Sequence, residues 1–142
     1  MPLPAFAWVV LRHGSYYLFL ERSEKSKHWP LHWTIPWGKI EIWEDPLDCA
    51  IRETLEEVGV RVHREKILQS IEIIADYIDG EKRIYLYLTD TWEGMPENLE
   101  SDVHNICEWR TLDELPYPMI PHIWAGIEWM MNHQETIHYH AV

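Results

Sequence analysis

The sequence predicts an α/β fold, a mixed sheet covered by helices on two faces. A strongly capped amphipathic helix lies in the first half of the chain, β-branched and aromatic runs flank it on both sides, and an apolar helical stripe follows near the C-terminus. The 142 residues suit a single domain, residues 1–142, since domains commonly run about 100–150 residues. With 46% hydrophobic and 13% aromatic residues, the composition is that of a folded chain.

Ala5 to Leu11 is apolar and β-branched and reads as a strand. His13-Gly14-Ser15 is a turn, and Tyr16 to Arg22 is its hairpin partner. Ser23 to Leu31 is polar, contains Pro30 and reads as a loop. Trp33 to Ile35 reads as a short strand stopped by Pro36. Pro46 to Val58 is the helix: Leu47, Ile51, Leu55 and Val58 fall on one stripe. Asp45 is a good N-cap, Pro46 suits the first helical position, and Gly59 stands where a left-handed residue ends a helix. Ile67 to Tyr77 and Arg83 to Thr91 read as strands joined at Asp79-Gly80. The second is apolar or aromatic on both faces, which predicts a central position. Gly94 to Asn105 is a polar loop, and Ile106 to Thr111 a last short strand. Ile120, Ile123, Trp124, Ile127 and Met131 give the second helical stripe.

Charge narrows the function. Twelve basic against 24 acidic side chains leave a net −12, the wrong sign for a nucleic-acid polymer. A small phosphorylated ligand remains open if a divalent cation lies between it and the protein. Two cysteines, Cys49 and Cys107, make no disulfide framework or metal pair, and fit small buried residues in a reducing compartment. There is no leader-like start and no membrane-length apolar run, so a cytoplasmic protein without membrane partners is expected.

The helix carries the chemistry opposite its apolar stripe. Glu53, Glu56 and Glu57 share one face, although like charges four apart cost a helix roughly 0.2–0.5 kcal/mol per pair. Arg52, four residues before Glu56, offsets part of this. Such a face is either ordinary solvated surface or a seat for a hard cation such as Mg²⁺, which takes oxygen ligands and is shared with substrate phosphates. The preceding loop favours the cation: Gly38 permits close backbone approach, Lys39 adds a positive charge, and Glu41 and Glu44 add carboxylates.

From Gly38 to Val60 the chain resembles the Nudix box of the Nudix hydrolases, G-x5-E-x7-R-E-U-x-E-E-x-G-U with U a bulky apolar residue. Every fixed position matches, and only Thr54 departs from the apolar preference. The resemblance implies an α/β/α sandwich with a mixed sheet. It implies metal-dependent hydrolysis of a phosphoanhydride in a nucleoside diphosphate linked to another group, with Mg²⁺ the usual ion and Mn²⁺ a substitute. By the same resemblance Glu56 and Glu57 are metal ligands, and Glu53 is a ligand or the base acting on water. Arg52 orients the acids, Glu44 supports them, and the Gly38 carbonyl completes the metal shell. Relatives often recruit a further acid from a distant loop; Glu100 is the candidate, with Glu97 and Asp102 as competitors. Trp37 and Trp43 stand where many relatives carry glycines, a change that bears on pocket shape.

Glu108 to Pro116 resembles the corresponding segment of mutator-type nucleoside triphosphate pyrophosphohydrolases, which release monophosphate and pyrophosphate; some clear oxidised nucleotides. Arg22 sits where such enzymes place a phosphate-contacting arginine, and the alternative is a surface cation ending a strand. Among nine tryptophans, Trp29, Trp33, Trp37 and Trp43 crowd the phosphate loop. Trp37 is read as a pocket wall, since stacking on a base is worth about 1–3 kcal/mol in single-strand binders. Trp8, Trp109, Trp124 and Trp129 are read as packing residues, and no histidine is assigned to catalysis. The expected partner is a small nucleotide and the expected state a monomer or homodimer. Rival readings are an ADP-ribose, nucleotide-sugar, capped-RNA or dinucleoside polyphosphate hydrolase, and a nucleotide sensor without turnover.

Overall fold

A computed structural model describes residues 3–133 and the backbone of 140–141. In chain order the elements are β1 (Ala5–His13), β2 (Tyr16–Arg22), β3 (Trp33–Thr34), β4 (Trp37–Lys39), α1 (Pro46–Val58), β5 (Arg61–Val62), β6 (Gln69–Tyr77), β7 (Gly80–Thr89), β8 (Trp92–Glu93), β9 (His104–Thr111), α2 (Ile123–Asn132) and β10 (His140–Ala141). The main sheet runs β10-β6-β7-β1-β2-β3, with β4 on β1 and β9 on β2. It is mixed, because β1 lies parallel to β7 and antiparallel to β2 and β4.

Strand β1 organises the molecule. Its start pairs with β4, from Phe6↔Lys39 to Trp8↔Trp37, and its end pairs with β2, at Arg12↔Tyr17 and His13↔Tyr16. One edge of one strand therefore serves two partners that diverge. Alternation does the rest: Trp8 and Val10 join the core that contains Ile123, Ile127 and Met130 of α2. Ala7, Val9 and Leu11 join the core that contains Cys49, Ala50 and Val58 of α1. The sheet is thus covered by one helix on each face, as the sequence predicts. Strand β7 is central, between β6 and β1.

Several local expectations shift. Trp37 to Lys39 is a strand rather than loop, because it completes the ladder along β1. The α1 stripe is rotated: Leu55 is exposed, whereas Cys49, Ala50, Thr54 and Glu57 are buried. Thr54 tolerates full burial because its Oγ1 donates to the Ala50 carbonyl at 2.7 Å. The caps hold as read. Asp45 accepts from the Leu47 and Asp48 amides, and Gly59 has φ 76° with its N–H on the Leu55 carbonyl. The second hairpin turns at Ile78-Asp79, with Gly80 already paired to Tyr77. Strand β9 starts at His104, two residues before expectation.

In α2 the inward face is Ile123, Gly126, Ile127 and Met130, so Met130 replaces Met131. Gly126 lets the helix lie close on the sheet, since a Cβ there would meet Leu86 Cδ2 at 2.5 Å. Gly126→Leu is expected to push α2 off the sheet and lower stability by about 1–3 kcal/mol, read as a lower urea midpoint.

Candidate active site

Residue by residue, the site grows from the meeting of β4 with α1. Glu53 lies across Gly38, so that a Cβ on Gly38 would fall inside the Glu53 side chain, 2.6 Å from Oε1. Glycine is required here by space. The Gly38 carbonyl lies 3.8 Å from Cys49 Sγ. Next door, the Trp37 amide donates to Glu57 Oε2 at 2.9 Å and fixes that carboxylate, which is only 4% exposed.

Arg52 holds the acids together. Its Nε and Nη2 donate to the two Glu44 oxygens at 2.8 and 2.9 Å, a bidentate pair. Its Nη1 donates to Glu53 at 2.9 Å and lies 3.5 Å from Glu56 Oε2. The Arg52 bonds hold Glu44 below the usual carboxylate range. Burial pushes Glu53 up against the opposing pull of Arg52, and pushes Glu57 well up against the Trp37 hydrogen bond. The three glutamates of the helix thus form a gradient, from buried Glu57 through Glu53 to exposed Glu56.

A distant loop joins them. The Glu97 amide bonds the Val58 carbonyl and the Leu99 amide bonds the Glu57 carbonyl, so the loop satisfies the open end of α1. Docked in this way, Glu100 stands beside Glu57, while Glu97 and Asp102 are outside the group that the structure gathers. Glu100 is also raised, by burial and by Glu56. The sequence reading missed His104. Its ligand nitrogen, with one oxygen each of Glu57 and Glu100, forms a set of atoms within 4.8 Å of one another. Burial, with the Arg22 charge, lowers its pKa to about 4, which keeps the ring neutral near pH 7. The signal available was a histidine four residues beyond the candidate acid.

On the other side of Trp37 opens a cavity of about 500 Å³, within the range of small-molecule sites. Phe6, Trp8, Trp29, Trp37 and Tyr77 give it aromatic walls. A bulge between Glu21 and Arg22 interrupts the β2 register, and Arg22 lines this cavity with its guanidinium 5.4 Å from the Trp37 ring centre. Arg22 is buried and feels the Glu57 charge, so it stands between cavity and carboxylates. Lys39 is exposed and does not line the cavity. Trp33 is buried in the core, and Trp43 is 79% exposed and outside the lining. Trp8, read as packing, is both core and wall. Trp109 stacks on Trp92.

Known proteins resemble this chain in sequence and in fold. The NUDIX domain family model matches residues 1–130. The 8-oxo-dGTP diphosphatase of Buchnera aphidicola subsp. Acyrthosiphon pisum is 32% identical over 93 residues, 63% of this chain and 71% of that protein. The asymmetrical bis(5′-nucleosyl)-tetraphosphatase of Sus scrofa is 32% identical over 85 residues, 58% of each chain. The crystal structure of a MutT NUDIX hydrolase from Burkholderia pseudomallei superposes with a TM-score of 0.77 at 23% identity, covering 90% of this chain and 98% of that one. Because the family model takes in the whole segment from Gly38 to Val60 and most of the sheet around it, this chain belongs to the Nudix family.

Proposed function

We propose that this Nudix pyrophosphohydrolase splits a (deoxy)nucleoside triphosphate into monophosphate and pyrophosphate, in the manner of nucleotide-pool sanitation. The observation that carries the reading is the double use of Trp37: its indole walls an aromatic cavity while its amide holds a buried carboxylate. A nucleoside in the cavity would extend its phosphates past Arg22 towards Glu53, Glu56 and Glu57. Lys39, on the rim of the same strand, would meet the outer phosphates.

Those carboxylates fit a divalent cation such as Mg²⁺, with Mn²⁺ as a substitute. Glu57 is buried with one backbone donor, and Glu100 adds a fourth oxygen donor group beside it. When bound, the cation neutralises charge on phosphoryl oxygens and makes water more acidic. Arg52 keeps Glu53 and Glu56 at hydrogen-bonding and ion-pair distance despite their repulsion, and Glu44 fixes Arg52. Burial raises the proton affinity of Glu53, which suits it to accept a proton from the attacking water. The Gly38 carbonyl is a further oxygen donor from the same strand. The reading treats residues 1–142 as one domain, a monomer or homodimer, acting in the cytoplasm on a small nucleotide. Among the described residues, no helix is long and apolar enough to cross a membrane.

A dinucleoside polyphosphate is the second reading, favoured by the match to the Sus scrofa protein. A screen with Mg²⁺ over nucleoside triphosphates, 8-oxo-dGTP, ADP-ribose and diadenosine tetraphosphate, with products identified by mass, separates the two. Monophosphate plus pyrophosphate supports the first; ATP plus AMP from the tetraphosphate as the preferred reaction overturns it. Glu56→Gln and Glu57→Gln are expected to reduce kcat by about 10²-fold or more with the fold retained by circular dichroism. Gly38→Ala, by displacing Glu53, is expected to reduce kcat by a similar factor of about 10². The raised carboxylates set a pH dependence. Their contribution to stability is present below the ordinary carboxylate pKa and is lost as pH rises through the elevated folded values. Melting temperatures in EDTA should therefore fall as pH rises towards neutrality, less steeply in Glu57→Gln.

A further inference from the structure

Beside the carboxylates lies a buried imidazole, that of His104. His104 is fully buried, and among the described residues neither Nδ1 nor Nε2 has a hydrogen-bond partner. Buried polar atoms are paired as a rule, so two orphans on one ring call for a missing partner. The ring is also held in place. The His104 amide donates to the Glu100 carbonyl at 2.9 Å, and Asn98 Nδ2 donates to the His104 carbonyl at 2.7 Å. Asn98 Oδ1 accepts from the Glu100 amide at 3.2 Å, so one side chain positions both residues. Nε2 lies 3.8 Å from Glu57 Oε1, too far for a hydrogen bond.

That spacing suits a shared ion. Donors about 2.0–2.3 Å from one cation stand up to roughly 4–4.6 Å apart. The ligand atoms of Glu57, Glu100 and His104 lie within 4.8 Å of one another. The nitrogen also discriminates. Mg²⁺ keeps oxygen ligands and water, whereas imidazole suits later first-row transition ions. We propose that His104, with Glu57 and Glu100, forms a nitrogen-containing subsite that takes a transition cation such as Co²⁺ in preference to Mg²⁺. The inference rests on the reading of the cleft as a cation site and adds to it a donor outside the glycine-to-valine motif. Glu53 and Glu56 remain the oxygen-only part of the cleft.

The test uses the full chain, stripped of metal and titrated with Co²⁺ and separately with Mg²⁺. Binding is followed by calorimetry, and histidine coordination by pulsed EPR at one equivalent of Co²⁺. Wild type should show a histidine nitrogen signal that is lost in His104→Asn and in Glu100→Gln. Co²⁺ affinity should fall about 10–100-fold in both, while His104→Asn leaves Mg²⁺ affinity unchanged. A nitrogen signal that persists in both variants comes from other histidines and overturns the proposal, as does equal Co²⁺ affinity. Melting curves in EDTA check folding; if His104→Asn does not fold, Glu100→Gln, on a partly exposed loop, decides alone. Mg²⁺-dependent hydrolysis of dGTP is measured on the same wild-type sample. Turnover without the signal sinks this inference alone, and binding without turnover of any nucleotide sinks the proposed reaction alone.

Discussion

Mutual repulsion among carboxylates is the constraint on which this structure turns. Glu53, Glu56, Glu57 and Glu100 converge at one end of α1, and left to themselves they would splay or take up protons. Arg52 restrains two of them through one guanidinium arm while its other nitrogens grip Glu44. Glu57 is restrained by the Trp37 amide, and Glu100 by a loop whose backbone closes the end of the same helix. The acids are therefore held by groups that do not depend on a ligand, which is preorganisation.

The same restraint explains the loop before the helix. Because Glu53 crosses β4, the strand must carry a residue without a side chain at Gly38. Because β4 is pinned along β1, that crossing point is rigid. Packing and charge meet in these few atoms, so a change made for one is felt by the other.

Much of this was legible in the sequence, for identifiable reasons. The ends of α1 depend on Asp45, Pro46 and Gly59, whose preferences are local. The acidic face follows from spacing alone. Leu55 misled because burial on α1 is decided by what packs on it, β1, β4 and the loop behind the helix, not by the apolar count. Strand β4 was hidden because three residues after a proline carry no strand pattern of their own; their partners lie in β1, far back along the chain. Glu100 could be nominated as a loop acid, but its nearness to Glu57 rests on backbone bonds from Glu97 and Leu99. Spacing alone could flag His104 but not place it, because its position depends on pairing opposite Arg22 in β2 and on the clamp from Asn98.

The divided pairing of β1 has a wider consequence. The cavity takes its outer wall from the β6–β7 hairpin, through Tyr77, Asp79 and Lys82, while the carboxylates come from α1 and the loop behind it. On the proposed function, recognition would fall to the hairpin and bond-breaking to α1 and its loop, with Trp37 and Arg22 standing between the cavity and the carboxylates. Drift at the hairpin tip can retune which molecule is chosen while the cutting apparatus stays fixed, a division of labour by which one scaffold could diversify.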